Sequence, residues 1–214
     1  MILRRAVRAL AVALLVAVPA ICAGQSYDRL LKAVNEDDAK TVGSLLNQGL
    51  DADTADKDGN TILMIAARLG HADLVSLLIE RDAKVNRQSP NGDTALMFAC
   101  LKGYLAVAKL LVSNGAKISQ QGWAPLHYAA FEGHAEVIKY LLEKGADKNS
   151  LAPNGYSPLM LTARGGHLEA ARTLLYADPD LAIKGPKGET ALAIAAERKN
   201  EELVSLLKRA GAVE

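Results

Sequence analysis

Apolar residues recur along most of this chain in two alternating patterns, each of which predicts a short helix. In the first pattern, a compact apolar run such as residues 61–67 is followed by a glycine, Gly70. In the second, apolar residues at i, i+1, i+4 and i+5 fall on one side of a helix. The first example is Leu74, Val75, Leu78 and Ile79. The two patterns together predict an all-α chain of helix pairs joined by turns.

The first run returns four more times, so the chain repeats one unit. The five runs start at Thr61, Thr94, Ala124, Ser157 and Thr190. The steps between these starts are 33, 30, 33 and 33 residues, a period typical of supersecondary units that stack along one axis. A single helix pair cannot cover its own apolar side, so that side is buried only when neighbouring units stack against it.

The period and the run together resemble the ankyrin repeat. Its T-P-L-H-x-A opening is matched best by residues 124–129 and 157–161, and each unit continues into a leucine-rich helix and a Gly-Ala turn, as in residues 141–149. The resemblance covers residues 26–214. It implies an ankyrin-repeat solenoid of helix-turn-helix units with short β-hairpin or loop fingers.

The runs also set the expected unit boundaries. We predict an N-terminal capping repeat over residues 25–60, repeats over 61–93, 94–123, 124–156 and 157–189, and a C-terminal capping repeat over 190–214. The first helix of the N-terminal cap is expected over residues 28–34. Asp37-Asp38 replaces the inter-helix glycine and its neighbour in the first unit, and Lys199-Asn200 replaces them in the last. Polar caps suit outward faces that meet water, so we expect a monomer.

The first 24 residues have a different composition. Three arginines precede an uncharged stretch of 16 residues, 9–24, which contains Pro19 and ends in small residues. This order predicts a secretory signal peptide over residues 1–24, cleaved after Ala23 or Gly24. We therefore expect export to a bacterial periplasm, or secretion. The stretch is short for a membrane span of about 20 residues, but a membrane-tethered adaptor with an uncleaved segment is the alternative.

Charge and cysteine content narrow the possible partners. Without the three signal arginines the chain has 22 Lys and Arg against 24 Asp and Glu, so its formal net charge changes from +1 to −2. This balance gives no broad basic surface for nucleic acid or anionic lipid, so we expect neither nucleic acid nor, after signal removal, a membrane as partner. If Cys22 leaves with the signal, Cys100 is the only cysteine and no internal disulfide can form.

Histidines and glycines fall in repeated positions, which favours structural roles over metal binding. The histidines are His71, His127, His134 and His167, and the inter-helix glycines are Gly70, Gly103, Gly133 and Gly166. The resemblance implies that these histidines hydrogen-bond between neighbouring units. Successive histidine positions are about one repeat apart, farther than the ~4 Å that two ligands of one zinc ion span. Methionine replaces the histidine of the opening motif at Met64, Met97 and Met160, where we expect apolar packing and loss of the polar contact.

The sequence has no motif that indicates a cofactor, a metal or catalysis. It lacks a phosphate-cradling glycine motif, a nucleophile elbow and a paired-cysteine zinc motif. The acidic turn over residues 51–59 resembles a calcium loop, but Ile62 stands where the terminal glutamate is required. We expect no cofactor, no metal and no enzymatic activity. The alternative is an enzyme whose site is spread over the concave face of the stack.

The resemblance implies a protein-binding surface on the concave side, which the fingers and the exposed ends of the first helices form. We call this side the inner face. Its candidate binding residues are Trp123, Phe131, Tyr156, Arg68, Leu69, Leu101, Lys102 and Arg164. Tryptophan, tyrosine and arginine often dominate binding energy. The 30-residue step leaves the finger between Ala116 and Ala124, which carries Trp123, three residues shorter than the others. Trp123 therefore has two interpretations, the centre of a binding patch or a local cover for the short turn. The predicted function is a non-catalytic module that scaffolds, protects or inhibits another exported protein.

Overall fold

Paired helices follow one another along the chain. A computed structural model describes the backbone of residues 20–213 and the side chains of residues 24–213. Its helices are α1 (Ala20–Asn35), α2 (Ala39–Asn47), α3 (Ile62–Leu69), α4 (Ala72–Glu80), α5 (Ala95–Lys102), α6 (Leu105–Ser113), α7 (Pro125–Glu132), α8 (Ala135–Glu143), α9 (Pro158–Gly165), α10 (Leu168–Leu175), α11 (Ala191–Glu197) and α12 (Glu201–Arg209). The signal peptide predicted over residues 1–24 lies outside the described side chains apart from Gly24.

The odd-numbered helices pack side by side and form an inner layer. Helix α5 contacts both α3 and α7, and α9 contacts both α7 and α11. Fully buried alanine pairs, such as Ala66-Ala67 and Ala129-Ala130, lie in these contacts. The even-numbered helices form an outer layer whose neighbours touch less extensively. Their buried side chains, including Leu74, Leu111 and Leu141, fill one continuous core between the layers.

The fingers that join successive helix pairs are turns. The only β pairing within residues 20–213 is a single antiparallel bridge between Ala55 and Thr61. In that first finger, a carboxylate oxygen of Asp56 accepts hydrogen bonds from the amides of Asp58 (3.0 Å) and Asn60 (2.8 Å). Side-chain capping of this kind holds a tight turn without a strand ladder.

Helix α1 is longer than the sequence analysis expected. It covers Ala20–Asn35 where residues 28–34 were predicted, so it passes through the predicted cleavage position. Among the α1 side chains that the structure describes, residues 24–35, the buried ones are Leu30, Ala33 and Val34, and they lie beyond that position. Tyr27 also lies beyond it and donates a hydrogen bond to the carbonyl of Ala55 (2.9 Å). The described contacts of α1 with the core therefore come from residues that cleavage would retain.

Asparagine side chains in the turns after α4 and α8 tie neighbouring units together. Asn86 donates to the carbonyl of Gly115 and accepts from the amide of Lys117, both at 2.8 Å. Asn149 accepts from the amide of Asp180 at 2.9 Å in the same way. These bonds satisfy backbone groups of the next unit, so each unit helps to order its successor.

Candidate protein-binding surface

Side chains cap the first turns of inner helices α3, α5 and α7. The hydroxyls of Thr61 and Thr94 cap α3 and α5 by accepting from the amides of Met64 and Met97. In return, the sulfurs of Met64 and Met97 accept from the amides of the two threonines, at 3.4 and 3.3 Å. In α7, Nδ1 of His127 accepts the equivalent amide at 3.0 Å. The expected loss of a polar contact is therefore wrong for Met64 and Met97, because a thioether is a weak acceptor.

Aromatic and charged side chains of neighbouring repeats meet on the N-terminal half of the inner face. The Arg68 guanidinium lies 5.8 Å from the centre of the Phe98 ring, within the range of a cation–π contact. The Tyr128 hydroxyl donates to the Asp93 carboxylate at 2.5 Å. Burial and this hydrogen bond raise the pKa of Tyr128, so its hydroxyl stays protonated. Phe98 and Tyr128 are both half-buried.

Trp123 lies in the shortened finger and leans on the next inner helix. Its ring centre is 5.5 Å from that of Tyr128 and 6.0 Å from that of His127, the latter in an edge-to-face arrangement. The side chain of Gln120 donates to the Trp123 carbonyl at 3.1 Å and to the Gly92 carbonyl at 3.4 Å. Gln120 thus bridges the short finger to the longer one before it. Trp123 remains half-buried, with surface left for a partner.

Tyr156 and Arg164 occupy the C-terminal half of the inner face. The Arg164 guanidinium lies 5.5 Å from the Tyr156 ring centre. The Tyr156 hydroxyl donates to Oε1 of Glu189 at 2.9 Å, and Oε2 of Glu189 accepts from the amide of Lys187 at 2.8 Å. The hydrogen bond to Glu189 raises the pKa of Tyr156, and burial adds to the effect. This network links two successive fingers to α9.

The other predicted binding residues lie at the C-terminal ends of the inner helices. Phe131 leaves 49% of its surface exposed, and Leu69 and Lys102 are also exposed. Leu101 is half-buried. A phenyl ring with half its surface in water is not a core residue, so Phe131 offers a partner a ready apolar contact.

The histidines contact neighbouring parts of the stack, and His134 and His167 bridge successive inner helices. Nε2 of His134 lies 3.0 Å from the Leu101 carbonyl, and Nε2 of His167 lies 2.9 Å from the Phe131 carbonyl. Nε2 of His127 lies 3.0 Å from the Ser150 carbonyl, and burial lowers the pKa of this imidazole. His71 differs, because Nδ1 faces the Asp37 carboxylate at 3.5 Å. Its Nε2 is the one buried side-chain polar atom without a hydrogen-bond partner in the described chain.

The inter-helix glycines and the histidines of the following repeats fit against each other. Gly70, Gly103, Gly133 and Gly166 all have left-handed backbone conformations, with φ between 74° and 82°. A Cβ on Gly103 would lie 2.6 Å from the His134 ring, and one on Gly133 would lie 2.4 Å from the His167 ring. Glycine is therefore required twice over at these positions, by the backbone angle and by the neighbouring ring.

Metal-ligating clusters and a cysteine thiol are two candidate sources of chemistry for the described chain. No group of three or more His, Cys, Asp or Glu side chains within residues 20–213 is arranged to hold a metal ion. Cys100 is fully buried, and burial raises the pKa of its thiol well above the usual range. A buried thiol of that kind is a poor nucleophile. The hydrogen bonds of the inner face join finger to helix and repeat to repeat, an arrangement that presents a shaped surface.

Two inner-face residues were absent from the predicted set. Phe98 and Tyr128 occupy the position that Ile65 and Leu161 fill with buried side chains in other repeats. They were not predicted, and the same position is aliphatic in the other repeats, as at Ile65, Leu161 and Ile194. The signal available in the sequence was the change from aliphatic to aromatic at that position in two successive repeats.

The whole series of helix pairs is similar to known proteins. A family model described as ankyrin repeats (3 copies) matches residues 30–121, 82–152 and 126–213. These matches together span nearly all of the described chain. This chain belongs to the ankyrin-repeat family. A crystal structure of the human ASB11 ankyrin repeat domain is similar to it, with a TM-score of 0.81, 26% sequence identity, and coverage of 86% of this chain and 84% of that domain.

Two curated relatives share only part of the ankyrin-repeat chain. Ankyrin repeat and SAM domain-containing protein 6 from Mus musculus is 33% identical over 97 residues, which cover 45% of this chain and 8% of the mouse protein. Serine/threonine-protein kinase 12 from Arabidopsis thaliana is 40% identical over 58 residues, 27% of this chain and 13% of the plant protein. The aligned residues thus span a small part of either relative. Within residues 20–213, no helix of this ankyrin-repeat protein combines the length and apolarity needed to cross a bilayer.

Proposed function

We propose that this ankyrin-repeat protein is a monomeric, non-catalytic module of the exported space that binds another protein on its inner face. The observation that carries the proposal is the clustering of aromatic residues. The chain has nine Phe, Trp and Tyr residues, and five of them lie on the inner face in successive repeats. The five are Phe98, Trp123, Tyr128, Phe131 and Tyr156. The other four are Tyr27 in α1, Tyr104 at the start of α6, Tyr140 in α8 and Tyr176 at the end of α10.

The chemistry of this cluster suits a protein partner. Aromatic side chains bury about 150–250 Å² each and dominate interface energetics. Arg68 and Arg164, which lie over Phe98 and Tyr156, add donors for carbonyl or carboxylate groups. Ankyrin repeats generally mediate binding between proteins, and the proposal applies that role to this surface. The partner would be scaffolded, protected or inhibited by being held there.

Export is the second part of the proposal, and it depends on the N-terminal composition. The arginine-rich start and short apolar stretch favour a cleaved signal. Within residues 24–35 the first buried side chain of α1 is Leu30, so removal of residues 1–24 leaves the described core contacts in place. N-terminal sequencing of the protein recovered from its host would show residue 24 or 25 first. Recovery of a chain that still begins at Met1 would contradict this part and support a membrane-tethered adaptor.

The binding proposal is tested by capturing the partner from the exported fraction and measuring its affinity for single variants. We expect Trp123→Ala to weaken binding about 30-fold, which corresponds to the ~2 kcal/mol typical of an interface hot spot. The melting temperature should fall by a few degrees because Trp123 also packs on Tyr128. Tyr176→Ala, which removes an 84% exposed ring on the outer surface, is the matched control and should leave affinity unchanged. A large loss of melting temperature with unchanged affinity would contradict the binding role of Trp123.

A further inference from the structure

The C-terminal half of the inner face contains a small cleft of mixed character. It has a volume of about 170 Å³. The ring of Tyr156 and the side chain of Ile194 provide its apolar lining, and Arg164, Lys187, Glu197 and Arg198 surround it. Ile194 is buried, whereas these four charged residues are exposed. This volume holds part of one side chain and is too small for a globular ligand.

Three cations, Arg164, Lys187 and Arg198, border this cleft together with the carboxylates of Glu189 and Glu197. The ion pairs found in residues 20–213 include no contact within 4.0 Å of the side-chain nitrogens of Arg164, Lys187 or Arg198. Arg164 instead rests over the Tyr156 ring. A cation over an aromatic face keeps its N–H groups available for an oxygen acceptor.

Hydrogen bonds within the protein already engage the Glu189 carboxylate of the cleft. Both carboxylate oxygens of Glu189 accept hydrogen bonds, Oε1 from Tyr156 and Oε2 from the amide of Lys187. With Glu197, the cleft has two carboxylates against three cations, so its formal net charge is +1. Net positive charge next to an apolar floor favours an anionic group attached to an apolar neighbour.

We propose that this cleft binds an aspartate or glutamate side chain from an internal segment of the partner, with Arg164 and Arg198 as donors and an adjacent apolar side chain on Tyr156 and Ile194. The proposal rests on the proposed function, and it names the kind of side chain that this part of the inner face recognises. It predicts a linear acidic motif in which the acidic residue has a fixed position relative to an apolar one.

The test is selection of random 12-residue peptides, displayed with their C-termini fused, on the immobilised full chain. We expect selected peptides to share an aspartate or glutamate beside an apolar residue. Selection on a double variant, Arg164→Gln with Arg198→Gln, should lose that motif. Arg209→Gln removes an exposed arginine of outer helix α12 and should keep it. Circular dichroism checks that all variants fold.

Synthetic copies of a selected peptide then give the size and source of the effect. With a C-terminal amide, replacing the acidic residue by glutamine should weaken binding to the wild-type protein about 10-fold or more, because hydrogen bonds to charged groups are among the stronger ones. The double variant should no longer distinguish the two peptides. Raised salt should narrow the difference for the wild-type protein.

Each other outcome overturns some part of the account. Basic or uncharged motifs, a motif retained by the double variant, or failure to select any peptide would overturn the acidic-segment proposal. If selected peptides depend on Trp123 and Phe131 but not on the arginines, the proposed function stands without this inference. If peptide binding depends on no inner-face residue, the proposed function also fails.

Discussion

Asp53 is a residue whose charge stabilises the joint between the first two units. It is 7% exposed, and its carboxylate lies 3.0 Å from the Lys84 ammonium and 3.7 Å from the Arg87 guanidinium. The Lys84 amide also donates to it at 2.9 Å. Burial alone would raise the pKa of Asp53, but the Lys84 amide and the two cations together hold it below the usual value.

We predict that Asp53→Asn lowers the free energy of unfolding by about 1–3 kcal/mol at neutral pH, since charged hydrogen bonds are lost. The folded-state pKa is depressed, so this stabilisation is present above the unfolded-state pKa of about 3.9 and disappears as pH falls through the folded-state value. Urea unfolding of the wild-type protein and the variant at a series of pH values measures the difference in unfolding free energy. Asp58→Asn, at an exposed finger position, is the control. A variant penalty that is constant down to the most acidic pH would contradict the assignment.

Among elements, the inter-helix turn is the part whose sequence is most constrained. The turn after α5 needs a left-handed residue at Gly103, and the His134 ring of the next repeat occupies the space a side chain would take. Nε2 of His134 in turn lies 3.0 Å from the Leu101 carbonyl. One turn therefore sets the distance between two neighbouring units.

We predict that Gly103→Ala destabilises the protein more than Gly145→Ala. Both glycines have positive φ, which costs alanine about 1–2 kcal/mol. No atom lies within 4 Å of a Cβ on Gly145, so only Gly103→Ala should displace a neighbouring ring. The displaced His134 would lose a hydrogen bond worth about 1 kcal/mol. Equal losses in chemical unfolding, or no rescue of Gly103→Ala by His134→Ala, would contradict the inter-repeat contact.

The elements were the part that the sequence predicted best, because local periodicity alone determines them. Apolar spacing and glycine positions gave the helix pairs from α3 to α12. The length of α1 was missed, since the polar residues at 25, 26, 28 and 29 show no apolar spacing that would extend the helix back to Ala20. Contacts between distant positions were also missed. The Tyr128–Asp93 hydrogen bond joins residues 35 positions apart, and the Asp53 cluster joins two units. A linear pattern does not show which side chains of stacked units meet.

At the scale of the whole molecule, the two layers have different tasks. The outer layer buries leucines against the inner layer and holds the stack together. The inner layer combines tightly packed alanines with aromatic and basic side chains that reach the inner face. Because each unit contacts mainly its neighbours, the stack is stabilised locally and can carry different surface residues on each repeat.

The central claim is that a protein partner binds the inner face, and two exposed aromatic positions allow a direct test. A photoreactive phenylalanine analogue at Phe131 samples the inner face, and the same group at Tyr176 samples the outer surface. Tyr176 is the more exposed, at 84% against 49%, so random collisions would favour it. After irradiation with the captured partner, we predict a covalent complex from position 131 and none from position 176. Cross-linking from position 176 alone, or equally from both, would contradict the account.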